Sequence, residues 1–165
     1  MRDAHQTGPS RRTALLGAGA FLAMAGKSPK ATPRVLFVCL HGTVKSPIAR
    51  EILRNRAKAR GVAVLARSRG ITPEEGASPA VAAALVRDHI MVRRDRLQRL
   101  TETDGAWADI IVFFDPLPFT FAGKDLHDWT ATPSVNQRYA DALAAIRTQI
   151  EALLDELVQQ RRARA

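Results

Sequence analysis

The chain alternates between unbroken apolar runs and apolar residues spaced at helical intervals. Val35-Leu36-Phe37-Val38 and the segment Asp109-Ile110-Ile111-Val112-Phe113-Phe114 are near-continuous apolar runs of strand length. Such runs mark strands buried on both faces, as in a parallel sheet. Val62 to Ala66 predicts a further strand between them. Helical spacing appears at Ile48, Ala49, Ile52, Leu53 and Ala57, a stripe that ends before Gly61. Ser46-Pro47 reads as its start, with serine as N-cap and proline at the first helical position. Pro79 to His89 is alanine-rich and helical, and Thr101 to Ala108 predicts a short helix with an acidic first turn. Pro116 to Pro133 reads as irregular. Ser134-Val135-Asn136-Gln137 has the form of a capping box. It is expected to open a long helix with Tyr139, Leu143, Ile146, Ile150, Leu153, Leu154 and Leu157 on one face. Alternation of this kind predicts an α/β fold: a doubly wound, Rossmann-like central parallel sheet of about four strands with helices on both faces. Ligands in such sheets bind at the carboxyl ends of the strands, where the strand order reverses.

The turn after the first strand is therefore the first place to look for chemistry. Its sequence is Val38-Cys39-Leu40-His41-Gly42-Thr43-Val44-Lys45-Ser46-Pro47. A strand ends in cysteine, a turn follows, and a helix begins. The backbone N–H groups of Leu40, His41, Gly42, Thr43, Val44 and Lys45 can converge on an anion in front of the helix N-terminus. The same field favours a thiolate at Cys39, and Lys45 adds a cation. The competing reading is that Cys39 is a small buried hydrophobe. A nucleotide P-loop is excluded, because Thr43-Val44-Lys45-Ser46 lacks both glycines of that motif.

Composition narrows the picture further. The chain has 165 residues, 46% of them hydrophobic and 25% charged, which fits one globular domain and argues against disorder. Its single cysteine excludes an internal disulfide framework and a multi-cysteine zinc site; neither a metal nor a cofactor is expected. The net charge of +9 suits an anionic ligand. Aromatics are only 5%, and no helix-turn-helix or zinc finger is present, so no nucleic-acid partner is expected.

The N-terminus reads as an address. Ser10-Arg11-Arg12-Thr13-Ala14-Leu15-Leu16 has the form of a twin-arginine export signal, and the apolar stretch to Ala25 is too short to span a bilayer. Ala23-Met24-Ala25 fits a small-x-small cleavage site. The expected organisation is an export signal over 1–25, a linker over 26–33, a folded domain over 34–160 and a basic tail over 161–165. The expected location is the bacterial periplasm, or the inner membrane if the leader is not cut, with the twin-arginine translocase as a transient partner. A lone cysteine suits an oxidising compartment.

Val35-Leu36-Phe37-Val38-Cys39-Leu40 through Ser46-Pro47-Ile48-Ala49 resembles the low-molecular-weight protein tyrosine phosphatases and the related arsenate reductases. The resemblance continues through Ala66-Arg67-Ser68-Arg69-Gly70, Pro79 to Leu85, His89-Ile90, Arg96-Leu97 to Leu100-Thr101, Ala108 to Asp115, Trp129 and the last helix. It implies a cysteine-dependent phosphomonoesterase. In that family the cysteine forms a thiol phosphate, an arginine grips the phosphoryl oxygens, and the next serine steadies the thiolate. A late Asp-Pro then protonates the leaving oxygen. Carried over, Cys39 is the nucleophile, Ser46 steadies it, and Lys45 stands where the arginine is expected.

Three departures follow. Lys45 keeps the charge but loses the planar fork. His41-Gly42 replaces the family's Gly-Asn, so that His41 could bond a loop carbonyl or donate to the thiolate. Trp129-Thr130-Ala131-Thr132-Pro133 has threonine where the acid should stand, and a hydroxyl is too weak an acid to replace it. Asp115, Asp128, Asp125 and His127 are the remaining candidate acids; Asp115 also resembles an earlier structural aspartate of the family. The leading expectation is hydrolysis of phosphotyrosine-type phosphomonoesters through a cysteinyl-phosphate at Cys39. The alternative is an anion-binding, phosphatase-like domain with little or no turnover. A third is an arsenate reductase served by an external thiol, since one cysteine cannot pass on a disulfide. The partners implied are a phosphorylated protein, a small phosphomonoester or an inorganic oxyanion, bound by a monomer.

Overall fold

The computed structural model describes residues 31–74, 76–92 and 98–163. The segment expected to be an export signal (1–25), most of the expected linker, Arg96-Leu97 and the last two residues of the expected tail lie outside the described residues.

Eight elements follow in chain order: β1 (Arg34–Cys39), α1 (Lys45–Ala59), β2 (Leu65–Gly70), α2 (Pro79–Arg87), α3 (Glu102–Trp107), β3 (Ile110–Phe113), β4 (Asp125–Asp128) and α4 (Tyr139–Ala163). The four strands form one sheet in the order β2-β1-β3-β4, with every pair parallel. The order reverses between β1 and β3, so β1 ends at the switch point. The strand periodicity divides β1 between two cores. Val35, Phe37 and Cys39 face α1 and α4, with Val81 and Leu85 of α2 in the same cluster. Leu36 and Val38 face the opposite side with Leu100, Ala108, Ile111 and Phe121. The doubly wound α/β architecture expected from the sequence is the one observed.

Several boundaries differ from the sequence reading, each for a physical reason. The second strand begins at Leu65 instead of Val62. Val62 closes the end of α1 through its N–H to the Ala57 carbonyl (2.8 Å), and pairing with β1 starts only at Arg34↔Leu65. Its continuation, Arg67-Ser68-Arg69, is polar because it is an edge strand: Arg67 lies over the Trp107 ring, and Arg69 pairs with buried Asp104 at 2.8 Å. β4 lies in the segment read as irregular. It too is an edge strand, mostly exposed, and Asp-Leu-His-Asp carries no burial signal. The long last helix begins at Tyr139, and Ser134 starts a turn ahead of it: the Ser134 carbonyl accepts from the N–H groups of Gln137 (3.3 Å) and Arg138 (2.8 Å). The capping box occurs instead on α3, where Thr101 and Asp104 cap reciprocally.

At the opposite end of the sheet from the switch point, Asp109 ties β3 to β1. It accepts from the Arg34 backbone N–H (2.9 Å) and guanidinium (2.8 Å), and the arginine's hydrogen bond holds its carboxyl below the usual carboxylate range. A lowered folded-state pKa stabilises the fold above the unfolded pKa and is lost as pH falls through the folded one. Asp109→Asn should therefore shift the urea midpoint down at neutral pH. The gap to wild type should close in acid, below the ordinary carboxylate range.

Candidate active site

β1 is fully buried from Val35 to Val38 and delivers Cys39 to the carboxyl edge of the sheet. The chain then turns through residues 40–44 into α1. Gly42 makes this turn with φ +68°, in the left-handed region open to glycine. The loop lies directly on the end of β2. A Cβ on Gly42 would stand 2.7 Å from the Gly70 nitrogen, and one on Gly70 would stand 2.9 Å from the Gly42 nitrogen. Ile71 and Thr72 donate their N–H groups to the carbonyls of Cys39 (3.1 Å) and Leu40 (2.8 Å). The loop carbonyls are thus turned toward the segment after β2. Leu40 donates its N–H to Asp115 Oδ2 at 2.8 Å. Among the described residues, the N–H groups of His41, Gly42, Thr43 and Val44 have no acceptor. Unpaired N–H groups at a helix N-terminus are what an oxyanion requires.

Ser46 is not the N-cap that the sequence suggested. The helix starts two residues earlier, at Lys45; Val44 occupies the cap position, and no side chain caps it. The fully buried Ser46 hydroxyl instead lies 3.0 Å from Cys39 Sγ and 3.3 Å from the Arg69 carbonyl. A hydroxyl there can donate a hydrogen bond to the sulfur, close to the start of α1.

Lys45 leans across the site to the other wall. Its Nζ donates to the Thr132 carbonyl at 3.2 Å and lies 5.9 Å from the centroid of the Phe114 ring. Phe114 packs edge-on against Trp129 at 5.6 Å. The tether joins the position of the signature arginine to the loop where the acid was expected. The Thr132 hydroxyl points away, to Gln149 Oε1 of α4 (3.2 Å).

The candidate acids are scattered. Asp115, at the end of β3, holds the Leu40 N–H. Asp128 accepts from the Thr130 hydroxyl (2.7 Å) and N–H (2.8 Å), which lower its pKa, so it is poorly placed to carry a proton. His127 lies on β4 opposite Val112, near Asp125 (3.4 Å) and Glu156 of α4 (3.8 Å), below the carboxyl edge. Asp125 is lower still, opposite Ile110. His41 sits on the loop itself. Its Nδ1 is 3.4 Å from the Thr72 carbonyl and 3.4 Å from Glu74 Oε1. Glu74 was not singled out from the sequence, and no local pattern could find it, because the chain returns to the loop only after β2. Among the described residues, no group of three or more His, Cys, Asp or Glu could hold a metal ion.

The model of the low molecular weight phosphotyrosine protein phosphatase family matches residues 34–117, about half the chain. Among solved structures, Bacillus subtilis YfkJ is similar at 22% identity and TM-score 0.66, over 82% of this chain and 99% of its own. A low molecular weight protein tyrosine phosphatase from T. tengcongensis is 27% identical with TM-score 0.55, over 76% of this chain and 99% of its own. A thioredoxin-dependent arsenate reductase from Corynebacterium glutamicum is 23% identical with TM-score 0.62, over 81% of this chain and 66% of its own. No curated protein sequence matches. With the strand–Cys–loop–helix geometry and the family match together, the chain belongs to the low molecular weight phosphotyrosine protein phosphatase family.

Proposed function

We propose that the protein hydrolyses phosphomonoesters of the phosphotyrosine type through a cysteinyl-phosphate at Cys39. The observation that carries this reading is the buried Sγ, 3.0 Å from the Ser46 hydroxyl, beneath a loop whose N–H groups at 41–44 have no acceptor among the described residues. Those donors, with Lys45, would hold the phosphoryl oxygens. The thiolate attacks phosphorus, the ester oxygen departs, and water then cleaves the S–P bond to release phosphate. A phosphorylated protein outside the cytoplasm is the substrate class that the export signal and the basic chain suggest.

Anion binding without turnover is the second reading. It is favoured by Lys45 bound to the Thr132 carbonyl and by Asp128 bound to Thr130. An arsenate reductase would need a thiol from another molecule, since Cys39 is the only cysteine.

The experiment is p-nitrophenyl phosphate hydrolysis under reducing conditions by wild type and Lys45→Arg. An arginine fork matches the phosphoryl group better than an ammonium, so kcat/KM should rise at least several-fold. An unchanged rate would show that residue 45 does not touch the phosphoryl group.

A further inference from the structure

We propose that His41, oriented by Glu74, is the proton donor to the leaving oxygen, in place of an aspartate on the late loop. The inference rests on the phosphatase reading and names the acid that reading lacks. The late loop supplies none among the described residues. Thr132 directs its hydroxyl to Gln149, Asp128 is bound by Thr130, and Asp115 is bound to the Leu40 N–H. His127 lies below the carboxyl edge, among Asp125 and Glu156.

His41 is placed differently. It belongs to the anion loop itself, two residues after the nucleophile, and its side chain is 42% exposed at the rim. Its Nδ1 faces the Thr72 carbonyl and the Glu74 carboxylate, both at 3.4 Å. Both neighbours are hydrogen-bond acceptors and favour a hydrogen on Nδ1, and Nε2 has no hydrogen-bond partner among the described residues. A carboxylate behind an imidazole sets its orientation. The other polar groups of the loop and its walls are engaged elsewhere: the Cys39 sulfur with Ser46, the Lys45 ammonium with the Thr132 carbonyl, and Asp115 with the Leu40 N–H. Glu74 is mostly exposed, so water screens its charge and its effect is chiefly orientation.

The step balances without a further reactant. Sγ forms its bond to phosphorus as the P–O bond to the leaving group breaks, and Nε2–H passes its proton to the departing oxygen. The neutral ring then takes a proton from the water that attacks phosphorus. The S–P bond breaks, and thiolate, imidazolium and phosphate result.

The test compares two substrates under reducing conditions: p-nitrophenyl phosphate, whose leaving group departs unprotonated, and phenyl phosphate, whose leaving group needs a proton. Wild type, His41→Gln, Glu74→Gln and Cys39→Ser are measured on both. His41→Gln should lose ~10²-fold or more in kcat/KM on phenyl phosphate and only a few-fold on p-nitrophenyl phosphate. Glu74→Gln should shift the same ratio in the same direction by less. Equal losses on both substrates would make His41 a structural or binding residue and overturn the proposal, as would no loss. An unmoved ratio in Glu74→Gln beside a moved one in His41→Gln would remove Glu74 from it. If wild type and Cys39→Ser are alike on both substrates, the phosphatase reading itself falls and the proposal with it, an outcome distinct from the others.

Discussion

Cys39→Ser is expected to abolish phosphate release while leaving phosphate binding intact. Removing the nucleophile from a covalent mechanism lowers kcat by about 10⁴–10⁶, so p-nitrophenyl phosphate hydrolysis should fall to background. A serine hydroxyl at this position can still meet the Ser46 hydroxyl, 3.0 Å from the present Sγ. It leaves the N–H groups of His41 to Val44 untouched. Titration calorimetry with inorganic phosphate should therefore give affinities within a few-fold for wild type and variant. Hydrolysis that survives in Cys39→Ser would show that the thiol is not the nucleophile. A wild type that binds phosphate without Cys39-dependent release would establish the binding reading.

Gly42→Ala should unfold the loop's contact with β2 and eliminate turnover together. The residue has φ +68°, and a Cβ there would meet the backbone of Gly70 at 2.7 and 2.8 Å. Left-handed backbone costs an L side chain about 1–2 kcal/mol. Moving two backbone segments apart adds a similar amount, about 1–3 kcal/mol. The melting temperature should fall by about 10 °C, and kcat/KM should fall at least ~10²-fold, since displacements of an ångström misalign the loop donors. Gly61→Ala is the control: its φ is +64°, but nothing lies within 4 Å of the added Cβ. It should lower stability by the backbone term alone and leave activity unchanged. If Gly42→Ala is no more damaging than Gly61→Ala, the loop is not held against Gly70 as described.

The Gly42 result bears on how this loop departs from its family. The sequence substitutes His41-Gly42 for Gly-Asn. Asparagine is one of the few other residues that visit the left-handed region, so glycine at 42 keeps the turn. At position 41, where the resemblance implies glycine, the backbone makes no such demand, and the histidine carries a side chain to the rim beside Glu74.

What the sequence determined by itself is the part that burial dictates over short distances. The apolar runs at Val35–Val38 and Ile110–Phe113 lie in strands buried almost throughout, and the spacing from Ile48 to Ala57 and from Leu143 to Leu157 lies on helix faces turned to the core. The α/β class and the turn at Cys39 followed from that alternation, because side-chain period reports which face meets the core. The tertiary structure decided everything that depends on a neighbour brought in from elsewhere. β2 and β4 are edge strands, and an edge needs no apolar pattern. Ser46 serves the thiol instead of capping α1, because the end of β1 lies beneath it. Lys45 reaches Thr132, 87 residues on, and Asp115 reaches Leu40 across 75. Such pairings exist only after the sheet has closed β3 onto β1 and β4 onto β3. The nucleophile's position is therefore legible in local pattern, whereas the groups that orient it are set by which strands become neighbours.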